Sequence, residues 1–202
     1  MSRRNIALLL SSAMLACALG SFSGATMVMA EEAGTASSGD AALTVGLPQD
    51  LDNSLDPYQI TAAGTREVLF NVYEGLVKPD TDGNFVDAVA SEHEISEDGL
   101  TYTFTLRDGV IFHNGEKVTI DDVLYSFETC AATTTSTAVA EALSDIQDIT
   151  ADGNKVVITL PAANSSFLST VSGVAIVPAS YKDQATAPVG TGPFKFDSYS
   201  PQ

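Results

Sequence analysis

Histidine and cysteine, the side chains that most often bind metals, are few in this sequence and stand apart. The two histidines, His93 and His113, belong to no Cys/His cluster, and no CxxC pair occurs. A structural zinc site gathers four cysteine or histidine ligands in closely spaced pairs. We therefore predict no metal site, and expect each histidine to have a surface or hydrogen-bonding role.

Patterns for covalent or acid–base catalysis are also missing from the sequence. The Gly-x-Ser-x-Gly elbow that exposes a serine nucleophile does not occur. Asp121 and Asp122 are adjacent, and neighbouring residues on a helix point in different directions, so their spacing does not predict a catalytic dyad. Cys130 is predicted to be a small packing residue. The sequence thus predicts a protein that is not an enzyme and that needs no cofactor.

One glycine-rich stretch, Gly190-Thr191-Gly192, invites comparison with a phosphate-binding loop. It lacks the Lys-Ser/Thr pair of a P-loop, and no helical pattern follows it. We expect a chain reversal in which glycine takes a positive φ.

The elements that must position these residues are predicted by apolar periodicity, which indicates an α+β (mixed α/β) fold with antiparallel strands. The clearest strand covers 101–107, where Tyr102, Phe104 and Leu106 alternate with polar residues. Other strands are predicted at 42–47, 110–112, 146–150, 155–160, 174–177 and 194–199. Helices are predicted at 62–74, after a capping box at Thr119 and Asp122, at 138–143 and at 167–171.

The charge of the chain excludes one class of partner. Nine Lys and Arg against 26 Asp and Glu give a net charge of −17. Such a surface repels phosphate backbones, so we predict no nucleic-acid binding. The charge favours solubility; a second interpretation is attraction of cationic ligands or of a basic docking face.

Residues 1–30 are predicted to be a signal peptide. Arg3 and Arg4 precede an apolar run at 6–19, which suits a signal-peptide core and is short for a membrane span. Val28 and Ala30 stand at the −3 and −1 positions of a cleavage site. We expect export across the cytoplasmic membrane to the periplasm or the outer face of the cell membrane.

Two alternatives concern the same segment, and a linker follows it. Residues 14–17 form a weak lipoprotein box, in which Cys17 would be lipidated and would give the only membrane attachment. Arg3 and Arg4 also have the form of a twin-arginine signal. Residues 31–42 are rich in small and polar residues and predict a flexible linker.

Residues 89–128 carry a long and specific pattern, VASEHEISEDGLTYTFTLRDGVIFHNGEKVTIDDVLYSFE. It closely resembles the signature of the bacterial extracellular solute-binding proteins of family 5, "DGLTYTFxLRxGVxFHDG" followed by "TAxDVxxS". Leu55-Asp56-Pro57 with Tyr73-Glu74-Gly75-Leu76, and residues 188–194 (PVGTGPF), resemble two further family blocks. The departures are small: His93 stands where the family often has Trp, and Asn114 where it often has Asp.

The resemblance implies a bilobal clamshell of the periplasmic-binding-protein type II kind, of which this chain would be the N-terminal portion. Residues 43–74 would form the first segment of lobe I, 75–177 the inserted domain of the family, and 178–202 the return to lobe I. Because family members run to several hundred residues, the second lobe is expected to be missing here. We expect residues 31–202 alone not to bind solute, and a protein completed through the second lobe to bind short peptides.

The same resemblance implies the substrate-binding component of an ABC importer, a monomer that captures an oligopeptide-like solute and delivers it to the permease subunits. The ligand-lining residues would be Thr61, Ala62 and Ala63, with Thr137 in the loop after the Thr119 helix. Their small side chains suit recognition of a peptide backbone better than binding of nickel. The alternatives are a secreted peptide-binding chaperone or receptor and a secreted hydrolase domain.

Overall fold

The computed structural model describes residues 42–133, 135 and 138–201. The chain divides into a unit over 1–44 and a unit over 45–202, and the second contains every helix and strand named below. The predicted signal peptide, the linker up to residue 41, Cys17 and Thr137 lie outside the described residues. The helices are α1 Ala63–Leu69, α2 Ile120–Ala131, α3 Ala138–Leu143 and α4 Phe167–Ser172; the strands are β1 Val77–Pro79, β2 Phe85–Asp87, β3 Ala90–Ile95, β4 Thr101–Leu106, β5 Asp148–Asp152 and β6 Lys155–Thr159.

The strands form a β1–β2 hairpin and a four-stranded sheet with the order β3-β4-β6-β5, and every pair is antiparallel. The alternation in β4 is confirmed, because Tyr102 and Phe104 are buried opposite Ile158 and Val156 of β6. The β5–β6 hairpin is confirmed as well, with Gly153 at a φ of 63° in its turn. These buried side chains supply the sheet side of a core that α2 and α4 complete.

Helix α2 starts where the capping box predicts. The Thr119 hydroxyl accepts a hydrogen bond from the Asp122 N–H at 3.3 Å, and the Asp122 carboxylate accepts one from the Thr119 N–H at 2.9 Å. Val123, Phe127 and Cys130 form its buried face. The reciprocal cap satisfies two backbone donors that a helix start would otherwise leave free.

The predicted strand at 174–177 is wrong, although all four residues are buried. Its amides bond to groups other than a neighbouring strand: the Ile176 N–H donates to the Glu74 carbonyl at 2.9 Å, and the Val177 N–H to the Ser126 hydroxyl at 3.0 Å. The Asp122 carboxylate then accepts from the Ala179 N–H at 2.8 Å. The Glu74 backbone carbonyl and two side chains of α2, those of Ser126 and Asp122, therefore take the place of a strand partner for this buried segment.

Other predicted boundaries also need correction. Residues 42–47 and 194–199 form no strand, and 110–112 contributes a single bridge, from Ile111 to Lys117. The apolar runs at 42–47 and 194–199 remain largely exposed, with Leu43 at 68% and Phe194 at 48%. An apolar run raises the propensity for a strand but does not supply the partner that a strand requires.

Helix α1 ends at Leu69 and not at residue 74, although the predicted apolar stripe of Leu69, Val72, Tyr73 and Leu76 is buried. The carbonyls of Asn71 and Val72 accept hydrogen bonds from the Phe194 and Gly192 N–H groups. Those carbonyls therefore bond to residues 192–194 and do not continue the helix. The division into lobe I and an inserted domain at residues 75 and 177 stays a prediction.

Candidate functional site

The segment predicted to face a ligand, Thr61 to Ala63, lies at the surface immediately before and at the start of α1. Thr61 and Ala63 are exposed and Ala62 is half-buried. Asp52 holds this segment: its carboxylate accepts hydrogen bonds from the Thr61 N–H at 3.1 Å, the Thr61 hydroxyl at 3.2 Å and the Ala62 N–H at 3.0 Å. The Asp52 N–H donates in turn to the hydroxyl of Thr65, a buried residue of α1, at 2.9 Å.

The Asp52 carboxylate is stabilised in its charged form. Its partial burial raises its pKa, but the hydrogen bonds from Ala62 and Thr61 outweigh that effect and hold the pKa of Asp52 below its ordinary value of 3.8. At neutral pH, Thr61 and Ala62 therefore donate their hydrogen bonds to a negatively charged carboxylate.

The loop that follows α2 approaches the same region. The Thr133 hydroxyl donates to the Tyr58 carbonyl at 3.2 Å. Tyr58 is buried, its hydroxyl donates to the Ala175 carbonyl at 2.7 Å, and burial raises the pKa of this phenol well above its usual range. Tyr58 thus joins the chain before Thr61 to the loop that leads toward Thr137.

The Gly190-Thr191-Gly192 segment is a close packing contact, and the expectation of a positive φ is wrong because neither glycine has one. A Cβ atom on Gly190 would lie 2.2 Å from the Val72 carbonyl oxygen, and one on Gly192 would lie 2.4 Å from the Asn71 carbonyl oxygen. Glycine is required here by the approach of two backbones.

Both histidines make the hydrogen bonds expected of them. His113 fixes the glycine segment, since its backbone N–H donates to the Gly190 carbonyl at 2.9 Å and its ring Nε2 lies 2.8 Å from the Gly192 carbonyl oxygen. His93 Nδ1 lies 2.6 Å from Asp87 Oδ1, and its ring stacks on Phe104. Among the described residues, no group of three or more His, Cys, Asp or Glu is placed to hold a metal ion.

Cys130 has the packing role that its position in the sequence predicts. It is buried on α2, and burial together with the nearby charge of Asp56 raises the pKa of its thiol to about 11. A thiol that stays protonated at neutral pH is a poor nucleophile.

Two shallow hollows lie away from the predicted ligand segment. One of about 280 Å³ is lined by residues that include His113, Tyr181 and Lys195, and one of about 480 Å³ lies on β3 and β4 beside Glu94 and Thr103. Neither includes Thr61, Ala62 or Ala63. Sequence analysis missed Asp52 and Thr133 because their hydrogen bonds join residues that no short motif connects.

The family described as bacterial extracellular solute-binding proteins, family 5 Middle, matches residues 84–202, a range that contains the signature noted in the sequence. The chain belongs to this family. The described part of this family 5 chain contains no helix long and apolar enough to cross a membrane.

Relatives of this family 5 chain carry names for several solutes. Glutathione-binding protein GsiB of Pectobacterium atrosepticum is 31% identical over 169 residues, which are 80% of this chain and 32% of that protein. A putative ABC transporter peptide-binding protein of Brucella ovis is 35% identical over 181 residues, covering 83% of this chain and 33% of its own length. The nickel-binding periplasmic protein of Escherichia coli is 35% identical over 133 residues, covering 61% and 25%.

Solved structures confirm the predicted fold class. The periplasmic binding protein DppA of Helicobacter pylori, in complex with the peptide STSA, matches with a TM-score of 0.64 and 30% identity over 73% of this chain and 35% of that one. NikZ of Campylobacter jejuni, in complex with Ni(L-His), matches with a TM-score of 0.64 and 26% identity over 75% and 32%. This chain spans about a third of the length of these relatives.

Proposed function

We propose that the protein is the extracytoplasmic substrate-binding component of an ABC importer, and that it captures an oligopeptide-like solute for delivery to the permease subunits. The observation that carries this proposal is membership of the solute-binding family together with relatives named as peptide-binding proteins over 83% of the chain. Export by the signal peptide at 1–30, with lipidation of Cys17 as the alternative, belongs to the same proposal. So does a monomeric state.

Thr61, Ala62, Ala63 and Thr137 are the proposed ligand contacts. The segment before α1 offers hydroxyl, methyl and backbone groups, which suit an extended peptide backbone with varied side chains. Nickel prefers imidazole ligands, and both histidines already have hydrogen-bond partners, His93 with Asp87 and His113 with the Gly190–Gly192 segment. These observations favour a peptide over a nickel complex.

We propose capture and release without chemical change. The Cys130 thiol is buried and protonated, and the Asp122 carboxylate is used by the α2 cap and the Ala179 N–H. Neither group is placed as a nucleophile or general base.

The test uses the complete mature protein and isothermal titration calorimetry. Peptides of two to six residues of mixed sequence are titrated beside free amino acids and a nickel–histidine complex. We expect saturable binding of peptides, recovered intact by mass spectrometry. Binding of the nickel complex without peptide binding would overturn the peptide assignment, and recovery of cleaved peptide would overturn the absence of chemistry.

A further inference from the structure

We propose that Asp52 is a positioning residue for ligand binding, which fixes Thr61 and Ala62 in their binding conformation without contacting the ligand. This inference rests on the proposed function of the Thr61–Ala63 segment. Asp52 lies outside the Leu55-Asp56-Pro57 block and outside the long signature at residues 89–128.

The position of Asp52 is fixed by a hydrogen bond to a buried residue of α1. Its N–H donates to the hydroxyl of Thr65, which is 1% exposed on α1, so the position of Asp52 is set by a buried group of the helix. Its carboxylate then accepts from Thr61 and Ala62, the two residues that lead into that helix. The hydrogen bonds that join Asp52 to Thr65, Thr61 and Ala62 therefore close residues 52–65 into a loop.

These bonds decide which backbone groups the segment can offer. The N–H groups of Thr61 and Ala62 both donate to Asp52, and the Ala62 carbonyl accepts from the Arg66 N–H at 3.1 Å. The Thr61 carbonyl accepts no hydrogen bond from any described residue. Asp52 thus leaves one acceptor as the free backbone group of this pair, and the peptide N–H is a donor that fits it.

Removing the carboxylate would release three donors and let the segment sample other conformations. If the binding conformation then fell to about a tenth of the population, the apparent affinity would fall about tenfold. If Asp52 contributed only to stability, removing its carboxylate would lower the free energy of unfolding and leave the affinity of the folded protein unchanged.

The chain offers a matched control at Asp80, in the β1–β2 turn. The Asp80 carboxylate accepts from the Asp82 N–H at 2.9 Å, the Asn84 N–H at 2.8 Å and the Asn84 side chain at 3.4 Å. Asp52 and Asp80 therefore have the same residue type and the same number of donors, and only Asp52 holds the proposed ligand segment.

The experiment compares Asp52→Ala, Asp52→Asn and Asp80→Ala in the complete mature protein. Calorimetry with the tightest peptide of a mixed set measures affinity, amide hydrogen exchange measures the ordering of residues 59–66, and thermal unfolding confirms that each variant is folded. We expect faster exchange at Thr61 and Ala62 and about tenfold weaker binding in Asp52→Ala. Asp52→Asn, which keeps one acceptor oxygen, should fall between it and the wild type, and Asp80→Ala should bind within about twofold of the wild type.

Equal affinities of Asp52→Ala and the wild type would overturn the inference, and so would unchanged exchange at Thr61 and Ala62. If the wild type bound no peptide, the proposed function would fail. The exchange measurement would still decide whether Asp52 orders the segment, so the two failures can be told apart.

Discussion

At the scale of the residue, Gly190 shows how a short motif can be recognised while its structural reason is missed. The sequence indicated a glycine requirement, and glycine is indeed the residue that fits. The predicted cause, a positive φ, was wrong, because the requirement comes from the Val72 carbonyl oxygen of a distant part of the chain. Local sequence contains no information about which backbone will approach.

This contact predicts a large effect for a single methyl group. In Gly190→Ala the new Cβ would meet the Val72 carbonyl oxygen at 2.2 Å, so backbone must move. We expect the free energy of unfolding to fall by about 3 kcal/mol in urea denaturation. Gly46→Ala is the control, since nothing lies within 4 Å of its Cβ position, and should change stability by less than about 0.5 kcal/mol. Equal effects of the two substitutions would show that the close approach is not a constraint.

Asp52 predicts a pH dependence of stability whose sign follows from its lowered pKa. The pKa is below 3.8 in the folded protein, so the charged form is favoured by folding. Its contribution is complete above the unfolded pKa and is lost as the pH falls through the folded pKa. The stability difference between the wild type and Asp52→Asn should therefore be largest near neutral pH and shrink below about pH 4.

Urea unfolding of both proteins at several pH values measures that difference. Asp148→Asn is the control for the hydrogen bonds, because the Asp148 carboxylate accepts none from the described residues. Asp148 lies among other carboxylates on the face of the sheet, so its neutralisation should not lower stability at neutral pH. A difference for Asp52→Asn that stays constant down to the acid limit would contradict the assigned hydrogen bonds.

At the scale of the element, periodicity predicted the pieces whose partners are close in sequence. The β5–β6 hairpin and the α2 cap depend on residues a few positions apart, and both are confirmed. The segment 174–177 depends on Glu74 and Ser126, which are far away along the chain, and its predicted strand was wrong. Burial can be inferred from composition, whereas the partner of a buried backbone depends on tertiary structure.

The Ser126 hydroxyl should accordingly contribute more to the free energy of unfolding than its size suggests. It is fully buried, accepts from the Val177 N–H at 3.0 Å and donates to the Asp122 carbonyl at 2.6 Å. Ser126→Ala leaves the Val177 N–H buried without its acceptor, so we expect a loss of about 2 kcal/mol in the free energy of unfolding. Chemical denaturation measures it.

Ser144→Ala is the matched control at the end of α3. Ser144 is exposed and its hydroxyl donates to the Glu141 carbonyl at 2.6 Å. Its loss should cost less than about 0.5 kcal/mol, since water can replace the hydroxyl. If both substitutions lowered the free energy of unfolding equally, the Ser126 hydroxyl of α2 would not be what holds the 174–177 segment.

At the scale of the whole molecule, the negative charge is spread over the surface with few local counter-charges. Among the described residues, Lys78–Glu74 is the one salt bridge of a Lys or Arg, and the His93–Asp87 contact is ionic only when the imidazole is protonated. The full sequence has nine Lys and Arg against 26 Asp and Glu. Within the four strands of the larger sheet, Lys155 is the one basic residue on the face that carries Glu92, Glu94, Asp148 and Asp152. Repulsion among these carboxylates opposes the compact state.

Salt should therefore stabilise the protein. The Debye length falls from about 14 Å to about 4 Å between roughly 0.05 M and 0.5 M NaCl, which screens repulsion between carboxylates on the same face. We expect the thermal unfolding midpoint to rise by a few degrees over that range. The double variant Glu94→Gln/Asp148→Asn removes two of these charges, so it should unfold at a higher temperature in low salt and gain less from added NaCl. A midpoint that does not change with salt, or an equal gain in the variant, would mean that ion binding or local contacts already neutralise this face.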